Sequence, residues 1–209
     1  MILEHRGQRP TVHPSAYVAP TAVLCGDVRV GADARVLFGA VLTAEDGLVT
    51  VGERSVVMEH ALVRGRERHP AVIGNDVLIG PHAHVNGTTI EDGSFIATGA
   101  ALFPGARVGA GSEVRIHGVV HVNTVLAPGT TVPIGWVAVG DPATILPPDR
   151  HDEIWAIQQP LDFPGTVYGI ARGTDATTMM RAQAEWLGTH RDDLPVAEEA
   201  QQADEDVDD

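Results

Sequence analysis

A mainly β fold, a parallel solenoid of three short strands per coil followed by C-terminal helices, is what this sequence predicts. Three observations carry the expectation. An aliphatic residue returns every sixth position from Val12 through Val18, Leu24, Val30 and Val36 to Leu42. The ladder resumes at Val51, Val57 and Val63, then at Ile73, Ile79 and Val85, and runs from Ile90 through Ile96, Leu102, Val108, Val114, Val120 and Leu126 to Val132. A small residue stands two positions before most rungs, as at Ala22, Ala34, Ala40, Ala61, Ala83, Ala100, Ala106 and Gly118. Aromatic residues make up only 4% of the chain, so the core must come from stacked aliphatics.

A period of six fits neither a 3.6-residue helix nor plain strand alternation. It fits a triangular coil: the aliphatic and the small residue point inward, and the neighbours of each aliphatic point outward. Three rungs close one coil, and successive coils stack as parallel strands about 4.8 Å apart. Each buried rung contributes roughly 1.5–3 kcal/mol. The count slips at three places: an insertion after Leu42, a longer one spanning Arg66 to Val72, and a side one residue short between Val85 and Ile90.

The solenoid is expected over residues 1–146, a helical segment over 147–190 that packs on it or on a neighbour, and an acidic disordered tail over 191–209. Pro147-Pro148 breaks the repeat. Asp149 is a candidate cap for a helix reaching about Gln159, ended by Pro160. Asp162 to Gly173 reads as a turn-rich linker. Asp175 caps a second helix to about Thr189, with Ala176, Met179, Met180, Trp186 and Leu187 as its apolar stripe, interrupted by Gln183.

The formal net charge of -14 argues against nucleic acid or an anionic membrane as partner, since both would repel it. A single cysteine, Cys25, allows no intrachain disulfide and fits a reducing compartment. With no signal segment and no apolar run long enough to span a bilayer, the expected location is the cytoplasm.

The six-residue unit is the hexapeptide repeat, and the chain resembles the left-handed β-helix proteins that carry it. The stretch Val132-Pro-Ile-Gly-Trp-Val-Ala-Val-Gly-Asp-Pro-Ala resembles the closing turn of such a helix. The resemblance implies a homotrimer with active sites between subunits. Within that class the insertions after Leu42 and Arg64, and the short side from Val85 to Ile90, are most similar to γ-class carbonic anhydrases, over about residues 10 to 160.

That family binds zinc or iron through three histidines. By resemblance their places fall on Arg64, Pro81 and Asn86, while the family's arginine and aspartate fall on Thr43 and Glu45. Arginine offers only protonated donors, proline offers no side-chain ligand atom, and asparagine is a poor replacement for imidazole. The substitutions argue against standard γ-carbonic anhydrase activity. The inter-subunit groove around Arg64, His82, His84 and Asn86, with Glu45 and Glu59 as further catalytic candidates, is then expected to take a small molecule or an anion. Arg64 either holds it as a bidentate cation or pairs with Glu45 or Glu59 across the groove.

Other histidines lie near. His60 and His82 occupy the same corner on adjacent coils, about 5 Å apart. By analogy with the family they meet His84 of another subunit, a rearranged metal set for zinc or iron with Glu59 or Glu45 as base. Two other classes stand beside this one. A hexapeptide acyltransferase would use His69, His82 or His84 on an acyl-CoA thioester, although Thr144 stands where many of them carry a basic residue. A non-catalytic scaffold subunit would need no site. His117 and His121 are read as lining an interface, and His5, His13, His151 and His190 carry no signal in the sequence.

Overall fold

The computed structural model of the chain describes residues 1–196. It is a left-handed parallel β-helix whose strands stack on three walls. The rungs pair coil to coil in the register that counting by sixes requires. On the first wall Val12 pairs with Val30, Val30 with Val51, Val51 with Ile73, and Ile73 with Ile90. The second wall stacks Val36, Val57, Ile79, Ile96 and Val114. The third stacks Leu24, Leu42, Val63, Val85, Leu102 and Val120.

Rungs from Leu24 to Val132 are buried, and so are the small residues two positions ahead, because a triangular section has room for one large and one small side chain per side. Val12 and Val18, in the open first coil, are only partly buried. Both insertions leave the axis near one place on the third wall. There Gly47 and Gly65 pass against the opposite insertion: a Cβ on Gly65 would stand 2.1 Å from the Leu48 carbonyl oxygen. Only glycine lets the two backbones approach so closely.

The ends of the solenoid are closed differently. At the top, Val137–Val139 turns back antiparallel onto Thr144–Leu146. At the bottom, Ile2–Glu4 adds parallel to the third wall, pairing Leu3 with Cys25, and receives Leu194–Pro195 antiparallel on its other side. Residues 191–196, expected at the start of a disordered tail, thus include a strand that closes the first coil; main-chain pairing compensates for their scarcity of apolar side chains. Residues 197–209 of that expected tail lie outside the described residues.

Among the described residues three α-helices follow the solenoid: α1 (His151–Gln158), α2 (Phe163–Tyr168) and α3 (Ala176–Leu187). Asp149 does not cap α1. Arg150 holds that position without a side-chain hydrogen bond and pairs with Glu153 instead. The stretch read as a linker contains α2, whose Val167 is buried against the chain. Asp175 does cap α3, accepting the Thr178 amide at 3.0 Å. The Thr178 hydroxyl and amide hold its carboxyl below the usual range. Asp175→Ala is expected to lower stability, read as a lower midpoint of urea denaturation. In α3 the half-buried side is Met179, Gln183 and Trp186, whereas Met180 and Leu187 are exposed. Gln183, which interrupts the apolar stripe, faces inward because its amide donates to the Tyr168 carbonyl at 3.3 Å.

Candidate functional site

The third wall continues one residue beyond each rung, and that residue points outward by strand alternation. Cys25, Thr43, Arg64 and Asn86 are therefore laterally paired in one column. Counting by sixes placed Arg64 and Asn86 on one wall, and they are direct neighbours. An outward column should be solvated, yet Cys25, Thr43 and Asn86 are at most 6% exposed. Cys25 is covered by the segment after α3, where Asp193 meets its thiol at 3.4 Å, and Thr43 by Glu45, which His190 of the same segment meets; the repeat itself encodes neither.

Glu45 is the centre of this wall. It is 4% exposed; the Thr43 hydroxyl donates to Oε1 at 3.2 Å, Arg64 Nε lies 3.3 Å from the same oxygen, and His190 Nε2 lies 2.8 Å from Oε2. So engaged, the two carboxylate oxygens are fixed in place and hold Arg64 and His190. The Arg64 pair is a charge contact: Nε makes no directed hydrogen bond, and Asn86 Oδ1 beside it is buried without a partner. The wall thus buries one donor and one acceptor without partners within the chain.

The other expected residues are distributed by the coil geometry. His60 and His82 stack at an exposed corner, ring centroids 5.2 Å apart and planes 12° from parallel. Both have positive φ, 58° and 56°, in a corner where Gly39 and Gly99 hold the equivalent places. A histidine tolerates that conformation at some cost, so the imidazoles stand where glycine would be easier. Glu59 is at the same corner, its carbonyl accepting from the His82 amide at 3.0 Å. His84 lies on the third wall, half-buried, its pKa lowered by burial and then by Arg64. Within one chain the structure gathers Glu45, Arg64, His84 and Asn86 on one wall and leaves Glu59, His60 and His82 at the corner.

Above the groove, His121 does not line an open interface. It is 5% exposed beneath Phe103 and Phe163, with neither ring nitrogen partnered. Burial pushes its pKa down to about 4. Between pH 6.5 and 4 the unfolded chain gains a proton that the folded chain refuses, so stability falls as pH falls through that window. His121→Phe should flatten this acid limb by no more than roughly 3 kcal/mol, reduced by screening at the edge of the wall. Parallel denaturation series at pH 7 and pH 4 on the two proteins check it.

Two further features were not legible in the sequence. The insertion carrying Arg66, Arg68 and His69 faces the helices across a cleft of about 620 Å³ that also takes in Tyr168 and Trp186. Arg66 lies over the Trp186 ring at 4.0 Å and donates to the Val167 carbonyl at 2.7 Å. The second is a buried polar centre below the groove. Asp193 Oδ1 lies 2.5 Å from His5 Nδ1, while Oδ2 lies 2.9 Å from His190 Nδ1 and accepts from the Cys25 thiol at 3.4 Å. Burial, the hydrogen bond to Asp193 and the charges of Asp193 and Glu45 push that thiol up to about 12. Burial alone would lower the His190 pKa, but Asp193 and Glu45 outweigh it and raise it. Of these residues only the outward position of Cys25 could have been read beforehand. The others converge from opposite ends of the chain.

Residues 70–103 match the family model described as bacterial transferase hexapeptide (six repeats). The chain is 34% identical over 156 residues to γ carbonic anhydrase 1, mitochondrial, of Arabidopsis thaliana, covering 72% of this chain and 54% of that protein. It is 30% identical over 156 residues to γ carbonic anhydrase 2, mitochondrial, of the same plant, with the same coverages. The chain thus spans about half the length of these curated relatives. Among solved structures, a putative acetyltransferase from Bacillus cereus superposes with a TM-score of 0.55 at 19% identity, covering 90% of this chain and 97% of that one; the likeness is one of fold. Among the described residues no helix is long and apolar enough to cross a membrane.

Proposed function

From the premise that the chain is a left-handed β-helix protein of the hexapeptide-repeat class and a relative of the γ-class carbonic anhydrases, we propose that it is a homotrimer whose inter-subunit groove binds a small anion in place of the family's metal. The observation that carries this reading is Arg64. It stands where the resemblance places the first metal histidine, partly exposed, held by buried Glu45 and flanked by the unpartnered Asn86 carbonyl.

The residues present do not fit a three-histidine metal. The Arg64 guanidinium repels a cation, Pro81 has no ligand atom, and Asn86 offers a neutral amide. A guanidinium fork instead suits a carboxylate or bicarbonate, and Asn86 and His84 beside it supply shape and polarity. Trimer assembly would bring the corner of a second copy, with its His60 and His82, toward this wall.

The test uses the full chain. Light scattering should give a trimer mass. Bicarbonate should raise the melting temperature of the wild type and leave Arg64→Met unmoved. Metal-dependent CO2 hydration by the wild type, or an equal bicarbonate shift in Arg64→Met, would overturn the reading.

One observation favours a second reading, the stacked His60–His82 pair at an exposed corner. These two and His84 of a neighbouring copy would hold zinc or iron, Glu59 serving as base, and the metal would supply a bound water of lowered pKa. Metal content unchanged in His82→Ala removes it. Thermal stabilisation by CoA through the cleft at His69 would instead favour acyl transfer.

A further inference from the structure

We propose that His5, Cys25, His190 and Asp193 form a zinc site that fastens the C-terminal segment to the first coil of the solenoid. One ligand atom from each of the four lies within 4.8 Å of all the others. Tetrahedral zinc with bonds of about 2.0–2.3 Å places its ligands roughly 3.3–3.7 Å apart, so the widest separation closes by about 1 Å while the Asp193 contacts to His5 and His190, at 2.5 and 2.9 Å, open to admit the ion. A thiolate, two imidazoles and a carboxylate are ligand types that zinc accepts. This centre lies below the groove and uses none of the groove's proposed metal ligands.

The surroundings are those of a metal ligand set. His190 turns Nδ1 toward Asp193 at 2.9 Å and Nε2 onto Glu45 at 2.8 Å. A carboxylate on the far nitrogen orients a ligating imidazole and strengthens it as a donor. Glu45 is itself fixed by Thr43 and Arg64. The charges also close: thiolate and Asp193 balance the dication, and Arg64 balances Glu45, so no net charge is buried. His5 is 2% exposed with Nε2 unpartnered, and the one carboxylate of Asp193 is shared by His5, His190 and Cys25.

Four protein ligands leave no open position, so the site is structural. It joins three places far apart in the chain: the turn after Ile2–Glu4, the third wall at Cys25, and the segment that ends in Leu194–Pro195. Metal binding there adds to folding stability, because the unfolded chain does not hold these ligands together.

The experiment uses the full chain without an affinity tag. Zinc added alone should bind one equivalent and raise the melting temperature, and a chelator should reverse the shift. Cobalt(II) in its place should give a thiolate-to-cobalt charge-transfer band. Cys25→Ser should lose that band, and His190→Ala should weaken zinc binding at least tenfold, while His151→Ala, at an exposed position of α1, should change neither. Failure of the folded wild type to take up one zinc, a cobalt complex without the thiolate band, or a band that survives in Cys25→Ser would each overturn the proposal. The wild-type cobalt spectrum keeps the test decisive even where a variant fails to fold.

Discussion

Replacing Glu45 by alanine is expected to lower the stability of the chain by about 3 kcal/mol, measured by urea denaturation with a chelator present. The side chain is 4% exposed and serves Thr43, Arg64 and His190 together. Removing one member of a buried ion pair costs about 3–5 kcal/mol because the partner's charge is left behind. The lower end applies here, since Arg64 and His190 keep 28% and 31% of their side-chain surface. Glu45→Gln, which preserves shape and one acceptor, should lose less than Glu45→Ala. A loss under about 1 kcal/mol in the alanine variant would mean that this wall is solvated.

Leu102→Ala tests the core beneath the same wall. Leu102 is fully buried, stacked between Val85 and Val120 in the third column. Truncating it removes about three methylene equivalents and leaves a cavity that neighbouring coils, fixed by their own main-chain pairing, cannot collapse into. The expected loss is about 3–4 kcal/mol, within the range for leucine-to-alanine changes in rigid cores. Because each coil of a solenoid contacts only its neighbours, hydrogen exchange should accelerate most in the strands paired to Ala101–Leu102 and fade toward both ends. Uniform acceleration along the chain would show that the solenoid unfolds as one unit instead.

The periodicity of the rungs was sufficient to place Arg64 beside Asn86 and to stack His60 on His82, because inward and outward alternate strictly along a strand and every coil repeats the register. The insertions and the short side after Val85 were legible for the same reason, as breaks in a count. The cap at Asp175 was legible because it depends on four consecutive residues. Ala176, Met180 and Leu187 belong to the apolar stripe by spacing but are exposed, because the side of α3 that faces inward is set by contacts such as that of Gln183 with the Tyr168 carbonyl.

What the sequence by itself determined is the solenoid, its three walls and the side chains that share each column, since these follow from local alternation repeated at a constant step. What only the tertiary structure decided is which outward residues become buried. His5, His190 and Asp193 meet Cys25 and Glu45 because the two ends of the chain pair on the first coil, and Phe163 covers His121 because α2 lies on the third wall. Contacts between segments so far apart depend on how the closed coil receives the chain that follows it, and no periodicity along the chain records that.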